Sequence, residues 1–313
     1  MHTSPRLFPS LISAGVLAAA SLLIVSAAAD TSISGTDSMV HVEGGQLPAV
    51  SRLGDLNVSS FRIGRFEVTL GEWREVRAWG EANGYEWTSA EDDHRKAAPS
   101  GCGDNHPVHS VSWYDALKWC NAKSERAGLE PVYTVDGAVF RAGEPGFRYW
   151  DEIDAVWRFE ETGAVQRVAG ANGYRLPEEA EWEFAARGGI HSGGYRYSGS
   201  DDLDEVGWYW NNSGGGDCEL WSGLGDSRGT WPVGQKAPNE LGLYDMSGNV
   251  WEWCWDRCTE RCLDRSAAVA ADRYLRGGSW YVTAKGCSLS YRITLFPDFR
   301  GKNFGLRLAR DAE

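Results

Sequence analysis

The side chains of this chain that could do chemistry are mostly thiols and carboxylates. Seven cysteines occur, and Cys254, Cys258 and Cys262 recur every four residues, a spacing that on a helix gathers them on one face. A metal thiolate cluster is one use of that trio. Without a His-Cys pattern of zinc-site spacing, structural disulfides, with Cys218 a candidate partner, are the simpler use in an exported chain. Cys287 stands apart: Lys285 and Arg292 could favour its thiolate, or it could be a disulfide partner. His106 and His109 flank Pro107 and read as strand-edge or core histidines rather than ligands. Glu178, Glu179 and Glu181 could pair as acid and base, but their place at a helix start is explained by the helix dipole. The turn Ser247-Gly248-Asn249-Val250 can aim backbone carbonyls at one point beside Glu252, the oxygen-only set that calcium prefers. Glu252 could equally neutralise a buried arginine between tryptophans. A nucleophile elbow, a phosphate loop, a His-Glu-x-x-His helix and a dinucleotide glycine motif are all missing, which leaves cysteine chemistry or binding.

These residues need elements to position them. Phe61 to Val68 alternates apolar and polar side chains as a half-buried strand does. Thr69 with Glu72 forms a capping box that opens a helix carrying Trp73, Val76 and Trp79. Ala90 to Asn105 reads as a loop. Ser112 with Asp115 caps a second helix with Ala116, Leu117, Trp119 and Cys120, ending near Ala127-Gly128. Tyr133 to Gly173 reads as short strands and turns. Pro177 is expected as the first residue of a third helix, stopped by Gly188-Gly189. From Ser192 onward the chain reads as loop, with short strands at Tyr274 to Gly277 and Phe304 to Leu308.

Sixteen tryptophans and 38 glycines against three methionines describe a compact, loop-rich domain. Tryptophan orders much area with few rotatable bonds, and glycine supplies the turns. Residues 1–29 read as an export signal, with Arg6 before an apolar run from Leu11 to Val25 and Ala27-Ala28-Ala29 at its end; an uncleaved anchor is the competing reading. No cysteine precedes Cys102, which argues against lipid attachment near that segment. Residues 30–38 form a small polar leader, and no later stretch is apolar enough to span a membrane. Secretion or a periplasmic location follows. A formal net charge of −13 makes nucleic acid a poor partner.

Four words occur in order: Tyr174-Arg175-Leu176-Pro177 running into Glu178 to Gly189, Gly248-Asn249-Val250-Trp251-Glu252-Trp253, Arg276-Gly277-Gly278-Ser279-Trp280, and Gly305-Leu306-Arg307-Leu308-Ala309-Arg310. Together they resemble the formylglycine-generating enzyme, or sulfatase-modifying factor, family over about residues 39–310. The resemblance implies a single loop-rich α+β domain related to the C-type lectin fold. It implies copper(I) held between two cysteines, and oxidation by oxygen of a cysteine in an exported sulfatase to formylglycine. Carried onto this chain, the catalytic positions are Cys287, Ser279 and Trp253, and the second copper position reads Val282. It also implies calcium at the carbonyls of Gly248 and Val250 with Glu252, and a second calcium at Asn211 and the Asn212 carbonyl, where Asp226 is one residue displaced from the family's aspartate. Two functions follow: the oxidase, or a calcium-stabilised binding module that meets a protein, peptide or glycan through Trp280, Tyr281, Tyr291 and Phe296. An iron-dependent relative is disfavoured by the supply of histidines.

Overall fold

Phe61 and Ile63 are buried and Arg62 is exposed, the alternation of a strand with one wet face. This strand stops at Gly64 instead of reaching Val68, because the backbone folds back on itself there: a Cβ on Gly64 would stand 3.0 Å from the Phe66 carbonyl oxygen. The computed structural model describes residues 39–87, 102–153, 156–223, 226–258 and 271–312, all within one compact unit. The expected signal and leader, and Cys262, lie outside the described residues. No helix among the described residues is long and apolar enough to cross a membrane.

In chain order the strands are β1 (Met39–Val42), β2 (Gly45–Gln46), β3 (Asn57–Val58) and β4 (Phe61–Gly64), followed by the helices α1 (Leu70–Ala82) and α2 (Trp113–Arg126). Then come β5 (Tyr133–Val135), β6 (Ala138–Val139), β7 (Phe147–Asp151), β8 (Val156–Glu160) and β9 (Val165–Arg167). Helices α3 (Glu179–Ala186) and α4 (Leu203–Val206) precede β10 (Trp221–Gly223) and β11 (Asp226–Arg228). The chain closes with β12 (Trp251–Arg257), β13 (Arg273–Arg276), β14 (Ile293–Leu295), β15 (Phe304–Gly305) and β16 (Ala309–Asp311). Two sheets organise it: β1-β4-β16, and β14-β13-β12-β15, in which β12 runs antiparallel to β13 and parallel to β15.

Both early helices start on their expected caps: Thr69 Oγ1 accepts from Glu72 N at 3.2 Å, and Ser112 Oγ from Asp115 N at 3.1 Å. Helix α3 differs from expectation. It begins at Glu179 with Glu178 as cap, so Pro177 sits outside the helix. Its glutamates do more than complement a dipole: Glu181 pairs with Arg175 at 2.6 Å, and Arg276 bridges Glu179 and Glu183 at 2.7 Å each, all of them buried. Burial alone would raise the Glu183 carboxyl, but Arg276 and Arg187 hold it below its ordinary value.

The cysteine spacing misleads. Cys254 lies inside β12 and Cys258 just past its end, so no helix gathers them. The run of large residues from Trp251 is buried between β13 and β15, and that pairing overrides a four-residue period. Cys258 is disulfide-bonded to a partner outside the described residues, whereas Cys254 is buried and free. Cys218 does form a disulfide, with Cys102, at a Cα separation of 4.5 Å.

The tryptophans order the core as their number implies. Trp73 and Trp119 stack at 5.5 Å, while the indole N–H groups of Trp113, Trp119 and Trp253 reach the carbonyls of Cys254, Trp73 and Val111. A buried indole must find such an acceptor, and these bonds tie the helices to β12.

Candidate functional site

Strand β12 is delivered by a turn that only glycine permits. Gly248 has φ +100°, and a Cβ there would meet the Trp208 carbonyl oxygen at 2.3 Å. Asn249 follows at φ 58°, and its side-chain amide donates to Glu67 Oε2 at 2.8 Å and to the Trp231 carbonyl. The same Glu67 accepts from Val250 N at 3.0 Å, and the Asn249 carbonyl accepts from Trp280 N at 2.8 Å. The turn is thus bolted to the Arg276–Trp280 segment.

Glu252 emerges from this turn fully buried. Both its oxygens accept from Arg307, at 2.8 to 3.1 Å, and Oε2 also accepts from Trp182 Nε1 at 2.6 Å. The buried-arginine reading of Glu252 therefore describes its contacts. The turn holds more carboxyl groups than Arg307 pairs, however. Glu67 and Asp245 are buried beside Glu252; burial, with their mutual repulsion, drives Glu67 well above the usual carboxylate range and Asp245 up to about 6. Asp245 Oδ1 has no hydrogen-bond partner. Sequence reading overlooked Asp245; its signal was an acid three residues before Gly248 in the same turn. The three carboxylates do not bring three oxygens within 4.8 Å of one another, so one or two of them with backbone carbonyls are what a cation would meet.

At the other expected calcium position, Asn211 is exposed and Asn212 accepts from Tyr209 N at 2.8 Å while donating to Asp204 and the Gly207 carbonyl. The neighbouring Trp210 carbonyl is taken by Arg228, whose guanidinium also lies over the Trp210 ring at 4.5 Å. A cation already covers this edge.

The three catalytic expectations are partly assembled. Ser279 and Cys287 touch: the Ser279 N–H is directed at the Cys287 sulfur. Trp253 is buried behind Phe304, with ring centroids 6.3 Å apart. Cys287 is free rather than disulfide-bonded and 1% exposed, and burial pushes its thiol up to about 12. Lys285 and Arg292 do not counteract this burial. Cys120, Cys254 and Cys287 lie in three separate apolar clusters, so among the described residues no second free thiol packs beside Cys287. Val282 packs against the Cys287 cluster instead. The described residues here do not supply the two thiolates that linear copper(I) coordination needs.

Above this lies a pocket of about 490 Å³ lined chiefly by Trp251, Tyr281, Val282, Tyr291, Ile293 and Phe304, with Lys285 and Asn303 as polar groups. Ser279 Oγ reaches the pocket through Asn303 Nδ2 at 3.3 Å. Of the four aromatics expected to be exposed, only Tyr281 is, at 48%, and Tyr291 is half-buried. Trp280 and Phe296 are buried, because the Trp280 indole is held by the Lys302 carbonyl and Phe296 stacks on Phe159.

A family model described as the sulfatase-modifying factor enzyme 1-like domain matches residues 26–312. The chain is 37% identical over 305 residues to a protein named chaperone protein LppX of Paenibacillus barcinonensis, covering 94% of this chain and 96% of that one. It is 29% identical to the formylglycine-generating enzyme of Thermomonospora curvata, over 89% and 90% of the two chains. Among solved structures, that of CarF superposes with a TM-score of 0.64 at 29% identity, covering 88% of this chain and 98% of CarF. With the four sequence words, the glycine turn into β12 and the cleft above Cys287 in place, the chain belongs to the sulfatase-modifying factor family of formylglycine-generating-enzyme-like proteins.

Proposed function

We propose that this protein is an exported, non-oxidising member of its family that binds an extended segment of another protein in the pocket beside Tyr281. Position 282 carries the reading. Valine stands where the second copper thiolate would be, and the remaining thiol is buried and held protonated. A thiol must ionise to act as nucleophile or soft ligand, so the centre lacks both its partner and its reactive form. What the site retains is an open, mainly apolar cleft, of a size that takes one or two aromatic or aliphatic side chains. The relative LppX, named a chaperone, agrees with a protein client.

Calcium fits the turn below the cleft. Asp245, Glu252 and the carbonyls of Gly248 and Val250 would hold it, with the unpartnered Asp245 Oδ1 the clearest vacant donor. The ion would supply positive charge that Arg307 alone does not.

Two measurements test the function. Sulfatase peptides incubated with the protein, copper(I) and oxygen should keep the mass of their cysteine; appearance of an aldehyde would overturn the reading. Labelled unfolded peptides should bind by fluorescence anisotropy, and Tyr281→Ala should weaken binding at least about tenfold. Binding only to glycans, or peptide binding indifferent to Tyr281, would also overturn it.

A further inference from the structure

Among the described residues, one group of three metal-capable side chains brings its ligand atoms within 4.8 Å of one another: Cys102, Cys218 and His109. The two cysteines are joined as a disulfide, and all three residues are buried, with exposures of 6%, 1% and 3%. His109 Nδ1 bonds Ser110 Oγ at 3.0 Å, whereas its Nε2 is buried without a partner. A buried ring nitrogen normally finds a hydrogen bond, so this one calls for a reason. It lies in a different part of the molecule from Cys287, and the pocket lining includes none of the three.

We propose that Cys102, Cys218 and His109 form a redox-gated site for a thiophilic cation, closed as a disulfide and opened as a two-thiolate, one-imidazole ligand set. Thiolate with imidazole is the donor set that selects zinc(II) or copper(I) over calcium and magnesium. Two thiolates, one neutral imidazole and zinc(II) sum to zero charge, which suits a site this buried. In the closed, disulfide form burial, with Lys302 and His106 nearby, lowers His109 to about 4, so no imidazolium charge is buried there. A supporting shell exists as well: the Thr230 hydroxyl donates to Cys218 Sγ at 3.2 Å and is itself bonded to His106 Nδ1 at 3.0 Å. Such outer contacts orient ligands and tune their basicity.

The chemistry balances with an external thiol reductant. Two reductant thiols lose two electrons and two protons and become a disulfide, while the Cys102–Cys218 bond breaks and each sulfur gains one electron and one proton. Binding of one zinc(II) then forms two metal–sulfur bonds and one metal–nitrogen bond and releases both thiol protons to solvent.

The test uses the full chain, oxidised or reduced without oxygen, titrated with zinc(II) and separately with copper(I) against a competing chelator. Cobalt(II) serves as a spectroscopic stand-in whose sulfur-to-metal charge transfer reports thiolate ligation. The reduced protein should bind one equivalent of zinc(II) or copper(I) and the oxidised protein none. His109→Gln should weaken binding by about tenfold or more. This variant keeps every cysteine, so neither the free thiols of Cys120, Cys254 and Cys287 nor those that reduction frees at the Cys258 disulfide can account for the difference, and its folding is verified by circular dichroism in the oxidised state. Cys102→Ser should abolish the charge-transfer band. Neither metal binding to the reduced protein, equal binding by the oxidised protein, or unchanged affinity in His109→Gln would each overturn the proposal.

Discussion

Arg307 and Glu252 form an ion pair at 2.8 Å with both side chains fully buried, and it joins the last strand region to β12. Arg307 also donates to the carbonyls of Gly64 and Tyr244, so one guanidinium links four segments. Removing one member of such a pair leaves an uncompensated buried charge, which costs about 3–5 kcal/mol. Arg307→Met should therefore lower the unfolding free energy by that amount in urea titrations. The double variant Arg307→Met with Glu252→Gln should recover part of the loss, since no full charge then remains at that position.

Burial raises the Asp245 carboxyl from 3.8 to about 6. A folded value above the unfolded one means that folding favours the protonated form. The stabilisation is present below about pH 4 and is lost as pH rises through about 6, a change of order 3 kcal/mol. Without divalent ions, Asp245→Asn should thus gain Tm relative to the parent between pH 4 and pH 7. With calcium at pH 7 the order should reverse, because the parent gains from the ion and the variant does not. Thermal melts in chelator and in calcium check both halves; a variant raised equally by calcium would show that the ion binds elsewhere.

The helices were legible because their signals are local. Thr69 and Ser112 cap α1 and α2 within four residues of the donors they serve. Strand β12 was not, since its partners β13 and β15 come later in the chain, and the face opposite Trp251 and Trp253 is buried as well, at Glu252 and Cys254, so no wet face marks it as a strand. The same distance hid the Asp245 cluster: Glu67 belongs to a segment near the start of the domain, so the crowding of carboxyl groups at the turn exists only after folding. Ser279 and Cys287 were singled out through the family resemblance, and the fold brings the two into contact. The burial of Trp280 was missed because one indole contact, to the Lys302 carbonyl, decides it.

The Cys102–Cys218 disulfide closes a loop spanning 116 residues. A cross-link of that length stabilises by restricting the unfolded chain, about 5 kcal/mol in the chain-entropy account. Cys218→Ser should shift the denaturation midpoint downward, and reductant should then have a much smaller effect on the variant than on the parent. An equal response of both to reductant would locate the stabilising bond at Cys258 instead.

Val282 packs against the cluster that contains Cys287, and its side chain lies close to Gly286, where an added Cβ would stand 2.9 Å from Val282 Cγ2. A sulfur at position 282 would therefore enter the neighbourhood of Cys287. Two soft sulfur ligands select copper(I), and coordination lowers the pKa of the thiols it recruits. Val282→Cys should accordingly gain one equivalent of copper(I) in ascorbate, which leaves the Cys102–Cys218 disulfide intact, while the parent gains none under the same conditions. Cys287→Ser in the Val282→Cys background should remove that equivalent. Copper bound equally by the parent, and lost when Cys287→Ser is made in the parent, would mean that Cys287 is already competent, and the non-oxidising reading would fall with it.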